Sequence, residues 1–158
     1  MERKSFADMD CSVAQCLEAV GDRWSMLIIR DTFMGVTRFD QLQERLGISR
    51  NILQQRLTKL VDEGVLTRVR YSEHPPRYDY RLTDRGRDLW PVLTAMRQWG
   101  DRYAAPGGPP VRVVHTACGA TTDFDLVCRS CGEAVSARDV RAVPGTGRAR
   151  AGVLPRPG

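Results

Sequence analysis

The sequence has little that would carry it into a membrane or out of a cell. Nowhere in its 158 residues does an apolar run approach the ~20 that a membrane-spanning helix needs. Its first ten residues, Met1 to Asp10, contain no apolar h-region, so a cytoplasmic protein is expected. Lysine is scarce: only Lys4 and Lys59 contribute to the 24 basic residues, and the rest are arginine. Cysteine is present but odd in number, at positions 11, 16, 118, 128 and 131. Without an export signal this argues against a disulfide framework and leaves metal binding or thiol chemistry. At 17.7 kDa the chain has no room for a multidomain enzyme, and no internal repeat is evident.

What is present fits a soluble core: 42% hydrophobic residues, 27% charged, net charge +5. A basic excess suits a polyanionic partner, although charge alone is weak testimony, and a GC-rich genome would also favour arginine. Residues 1–104 carry 17 basic and 15 acidic groups, while residues 105–158 carry 7 and 4, so most of the excess lies in the shorter part. Composition divides the chain at Ala104 to Pro110, which cannot continue a helix and offers no side chains for a core. The expected organisation is a domain over 1–104, a linker over 105–110, a small Cys/His module over 111–143 and a disordered Gly/Pro/Arg tail over 144–158.

In the first region Val13, Cys16, Leu17 and Val20 recur at helical spacing up to Gly21. A second helix from about Asp22 places Trp24, Leu27, Ile28 and Met34 near one face, ending at Gly35. Thr37 and Asp40 have the capping-box spacing and open a short helix burying Phe39, Leu42 and Leu46. Gly47 ends it, and Ser49 caps the next helix, which runs to about Glu63 and buries Leu53, Leu57, Leu60 and Val61. After Gly64 the period becomes alternating, predicting a hairpin with its tip at Ser72 to Arg77. Thr83-Asp84 caps a last helix with an apolar stripe of Leu89, Val92, Leu93, Met96, Trp99 and Tyr103, which Pro91 either kinks or restarts.

Two short helices joined at Gly47 and followed by a basic hairpin have the order of a winged helix-turn-helix, a mainly α fold with a small β-hairpin (α+β). The face of the Ser49 to Glu63 helix opposite its leucines holds Asn51, Gln55, Thr58 and Lys59, flanked by Arg50 and Gln54. Asn and Gln pair bidentately with adenine, Arg with guanine and Lys with phosphate. An ordinary solvated face is the competing explanation, and the hairpin behind the helix weighs against it. Arg68, Arg70, Arg77 and Arg81 line that hairpin, with Arg77 at the tip where it reaches a minor groove or a phosphate.

The residues Cys11-Ser-Val, Gly21-Asp-Arg-Trp24, Gly35-Val-Thr-Arg38-Phe39, Gly47-Ile-Ser49, Gly64-Val-Leu, Pro75-Pro76-Arg77-Tyr78-Asp79-Tyr80 and Gly86 resemble the HxlR-type (MarR/DUF24-like) winged-helix transcriptional regulators over residues 11–103. Asp22, Ser25 and Asp79 depart from the commoner residues of that pattern. The resemblance implies a homodimer, joined through its first and last helices, that binds a near-palindromic double-stranded DNA operator, with the Ser49 to Glu63 helix in the major groove. A DNA-binding regulator at the nucleoid, more readily a repressor, follows from it, with Arg38 among the DNA-binding residues. Cys11 stands where some relatives carry a thiol that senses quinones, aldehydes or oxidants, which implies a switch; simple packing of a small residue is the alternative. A winged helix used only for protein contacts is the other alternative. An enzyme is not expected, since no acid or histidine is paired with an obvious nucleophile.

The tail set is His115-x2-Cys118, nine residues, then Cys128-x2-Cys131, with Gly119 and Gly132 following each pair. The spacing points to one structural zinc in a small ribbon-like module; a reversible Cys128 to Cys131 dithiol and a metal-free hairpin remain open.

Overall fold

The computed structural model describes residues 5–143, 145 and 146; apart from the last two, the expected tail over 144–158 lies outside the described residues. Eight elements follow in order: α1 (Ser12–Val20), α2 (Arg23–Phe33), α3 (Phe39–Leu46), α4 (Arg50–Asp62), β1 (Leu66–Ser72), β2 (Arg77–Leu82), α5 (Asp84–Arg87) and α6 (Trp90–Tyr103). They form two compact units divided between Leu93 and Thr94, within α6. Among the described residues no helix is long and apolar enough to cross a membrane.

The first unit is organised by what its leucines and isoleucines must bury. Ile28 and Ile29 of α2, Leu42 of α3, Leu53, Leu57 and Leu60 of α4, and Val65 and Leu66 at the root of the hairpin share one core with Val20, Met26, Ile48 and Tyr80. Helical spacing turns these side chains inward and leaves the opposite faces to water. Gly47, at φ 62°, ends α3 in the left-handed conformation, and the chain turns through buried Ile48 into the Ser49 cap of α4, whose hydroxyl accepts from Ile52 N at 3.3 Å.

Two carboxylates lock the helices together. Asp22 caps α2, accepting from Trp24 N at 3.1 Å and Ser25 N at 3.0 Å, receives the Ser25 hydroxyl, and pairs with Arg56 of α4 at 3.3 Å. Asp22 and Ser25 thus form a buried polar joint. Asp31, fully buried, is held by Arg30 at 2.8 Å and by Arg45 of α3 at 3.3 Å.

Several expectations need correction. Thr37 does not cap α3: Arg38 occupies that position without a side-chain cap, and Thr37 accepts Tyr80 N at its carbonyl (2.8 Å) while its hydroxyl donates to Asp79 (3.2 Å). Residues 37 and 38 therefore run beside β2, with Arg38 joined to Asp79 by a single isolated β-bridge. The antiparallel pair β1–β2 itself runs from Leu66 opposite Leu82 to Ser72 opposite Arg77, with a bulge at Tyr71. Val13 and Leu17, which recur at helical spacing with Cys16 and Val20, are exposed, and Met34 lies exposed at the end of α2 while Met26 and Ile29 are buried. Of the two alternatives at Pro91 the restart is the one observed: Thr83 caps α5, and α6 begins at Trp90 with Pro91 in its first turn, where a missing N–H costs nothing.

Helix α6 has two apolar faces. Leu89, just before it, and Leu93 pack on the core, and Trp90 meets Phe33 with ring centroids 5.4 Å apart. Val92, Met96, Trp99 and Tyr103 form the other stripe and are exposed, Trp99 by 63% and Tyr103 by 66%.

Candidate nucleic-acid interface

Helix α4 presents an exposed face of Arg50, Asn51, Gln54, Gln55 and Thr58. The face contains donors and acceptors for base edges and no carboxylate, because Asp62 and Glu63 come only at the helix end. Gln54 Nε2 donates to Thr58 Oγ1 at 3.2 Å, which orients both, and the Arg50 guanidinium lies 4.9 Å above the Phe39 ring. The capped start of α4 also carries the positive end of the helix dipole, which favours a nearby phosphate.

Lys59 does not share this face. It is half-buried on the flank toward α1, and its Nζ donates to the backbone carbonyl of Glu18. An 80° rotation separates residue 59 from residue 51 on an ideal helix, about enough to move a side chain from the groove side to a packing seam. In this structure Lys59 is a tie between α1 and α4.

The hairpin arginines divide into fixed and unfixed groups. Arg68 stacks on Tyr78 at 4.1 Å, Arg70 holds Glu73 at 2.9 Å, and Arg81 holds Asp79 at 3.0 Å. Arg38 is anchored between Asp79 (3.8 Å) and the Tyr71 ring (4.8 Å) but keeps about half its side chain in water. Arg77, at the start of β2, is exposed and has no side-chain partner among the described residues. Asp79 and Tyr71, which aim Arg38, escape a reading of the sequence: a residue inside an alternating run gives no sign that it anchors one forty positions earlier. Cys11 precedes α1 as its N-cap residue, half-buried, and Cys16 packs against the core.

A helix with an acid-free polar face behind a tight turn, beside a basic hairpin, is the arrangement shared by a family of regulators. The model of the HxlR-like helix-turn-helix matches residues 19–107. The chain belongs to this HxlR-like family. An uncharacterized HTH-type transcriptional regulator of Mycobacterium tuberculosis is 48% identical over 137 residues, 86% of this chain and 87% of its own. Among solved structures, PA1607, a transcription-factor candidate, superposes with a TM-score of 0.79 at 41% identity, over 90% of this chain and 100% of its own. The redox regulator HypR in its oxidized form superposes with a TM-score of 0.54 at 29% identity, over 58% of this chain and 96% of its own. The protein is accordingly an HxlR-type DNA-binding transcriptional regulator and not an enzyme.

The tail lies beyond the HxlR-like match. Cys118 Sγ stands 3.3 Å from His115 Nδ1. Cys128 neighbours Cys131, and the backbone N–H groups of Cys131 and Ser130 hold its thiol below the usual thiol range by stabilising the thiolate. Among the described residues no three metal-binding side chains gather at one point, so the four predicted ligands stand as two pairs.

Proposed function

We propose that this HxlR-type regulator represses transcription as a homodimer bound to a near-palindromic operator. The first turns of α4 enter the major groove, where Asn51, Gln54 and Gln55 read base edges with Arg50, while Ser49, Thr58, Arg38 and Arg77 contact backbone or the flanking minor groove. The carrying observation is the acid-free exposed face of α4, set directly behind the Gly47 turn. A second copy of the chain is the occupant that the exposed α6 stripe suits, because Met96, Trp99 and Tyr103 leave a large apolar surface in water. Exposed Val13 and Leu17 on α1 support the same use of the first helix. A bare dimer of this size represses by occupying the promoter.

The test is a mobility shift on the DNA upstream of the gene itself. Asn51→Ala and Gln55→Ala should each weaken the specific site by about 1–3 kcal/mol and leave random DNA little changed, as loss of a bidentate base contact does. Arg77→Ala should weaken both alike and reduce the salt slope by about one. Unchanged operator binding in the Asn51 and Gln55 variants would refute the groove assignment, and wild-type protein without salt-sensitive DNA affinity would point to an interaction module instead.

The likeness to HypR favours one second reading, a thiol switch at Cys11, which sits half-buried at the start of α1. Under that reading a disulfide-forming oxidant changes operator affinity in the wild type and not in Cys11→Ser. Equal responses of the two proteins leave Cys11 as a packing residue.

A further inference from the structure

The segment 111–143 has little of what usually holds a fold. None of its side chains is buried; Val113, Thr122, Cys128 and Val135 are half-buried, and Val111, Val114, Leu126 and Val127 are exposed. Its backbone is nevertheless specific, and it repeats. Val114 bridges Thr121, and thirteen residues later Val127 bridges Ala134. Inside each bridge the first chemistry-bearing residue donates its N–H five residues on, His115 to Ala120 O at 2.9 Å and Cys128 to Glu133 O at 2.8 Å. In each turn a glycine donates back, Gly119 to His115 O and Gly132 to Cys128 O, both at 2.8 Å. These glycines have φ 71° and 79°, a conformation that strains other residues. A shift of one repeat lays His115 on Cys128 and Cys118 on Cys131. Inspection of the sequence misses this repeat because only a valine, a cysteine and a glycine coincide within each turn.

Each turn brings its two ligand-type side chains together. Zinc binds sulfur at ~2.3 Å and imidazole nitrogen at ~2.0–2.1 Å, so a tetrahedral ion holds such a pair roughly 3.5 Å apart. His115 Nδ1 and Cys118 Sγ stand 3.3 Å apart, close to that span. The second turn holds Cys128 and Cys131 on the same backbone, with Cys128 N donating to Glu133 O and Gly132 N to Cys128 O, both at 2.8 Å. Neither turn alone is a closed site, and the pairs stand apart among the described residues.

We propose that the two turns close on a single zinc ion, bound by His115 Nδ1 and by the thiolates of Cys118, Cys128 and Cys131. Binding forms one Zn–N and three Zn–S bonds, and the three thiol protons leave to solvent. Four protein ligands leave no open position, so the ion is structural and stands in for the missing core. The segment between the turns is already tied down: Gln98 exchanges hydrogen bonds with Phe124 (2.9 and 3.1 Å), and Arg97 pairs with Asp123 at 3.2 Å. The ion would therefore fix both turns around a strap held by α6.

Elemental analysis of the reduced, full-length protein after gel filtration tests this, with no dependence on DNA binding. One zinc per chain is expected. Cys118→Ser and Cys128→Ser should each lose it, while Cys16→Ser keeps it. Cobalt added to metal-stripped protein should give the ligand-field bands of a tetrahedral site with thiolate charge transfer, kept in His115→Cys and weakened in His115→Ala. Circular dichroism separates loss of the ion from loss of the helical unit. No bound metal in the reduced protein, metal retained in both Ser variants, a stoichiometry of one ion per two chains, or a Cys128–Cys131 disulfide in protein kept reduced each overturns the proposal.

Discussion

Gly86→Ala gives a test whose sign depends on the tertiary structure. On helix propensity alone, replacing a helical glycine by alanine stabilises by about 1 kcal/mol. The surroundings of Gly86 oppose that gain. It is buried in α5, and a Cβ built on it would meet Val65 O at 2.2 Å and Leu82 Cδ2 at 3.0 Å. Cβ atoms essentially never approach within 3.0 Å, so the backbone must separate by at least about 0.8 Å. The atoms that would move hold the root of the hairpin: Thr83 N donates to Val65 O at 3.1 Å, the Thr83 hydroxyl to Gly64 O at 2.6 Å, and Gly86 N to that hydroxyl at 3.0 Å. Overpacking of this kind costs about 1–3 kcal/mol, and a weakened cap with its hydrogen bonds costs about 1–2 kcal/mol more. With the propensity gain subtracted, a net loss of about 1–4 kcal/mol remains. It should lower Tm by roughly 5–15 °C and shift the urea midpoint with m unchanged. A Tm equal to or above that of the wild type would show that the Val65 carbonyl yields freely and that the close approach does not fix the hairpin root.

Three further outcomes follow from particular contacts. Asp22→Ala removes the α2 cap and leaves half-buried Arg56 without its carboxylate; about 2 kcal/mol of stability should be lost by denaturant unfolding, with Asp22→Asn recovering part of it through the cap alone. Met96→Asp places a charge in the exposed α6 stripe and should shift the protein to monomer in sedimentation velocity, whereas an unchanged sedimentation coefficient would locate self-association elsewhere. Lys59→Ala should lower stability by about 1 kcal/mol through the lost tie to the α1 backbone while leaving the salt slope of DNA binding unchanged, the opposite pattern to Arg77→Ala.

The helix-turn-helix was legible because its signals are local. Gly47 supplies a left-handed turn, Ser49 an oxygen for Ile52 N, Asp22 an oxygen for Trp24 N and Ser25 N, and the leucine spacing of α4 names its inward face. Such features require only residues within one turn of each other, so the order of letters suffices. The residues Arg50, Asn51, Gln54, Gln55 and Thr58 were legible for the same reason, as the remainder of an amphipathic helix.

What the order of letters alone determined, then, is the succession of elements, the polar face of α4 and the paired spacing of the tail cysteines. Tertiary structure decided the rest. It drew the Thr37 hydroxyl and the Arg38 guanidinium to Asp79, turned Lys59 to α1, began α6 afresh at Trp90, and left Val13, Leu17, Met96 and Trp99 in water. It also revealed that two dissimilar stretches of tail share one backbone. For Thr37, Arg38, Lys59 and the tail turns the deciding partner lies far along the chain or is a backbone group, and neither distance in space nor the direction of a carbonyl is written in residue type.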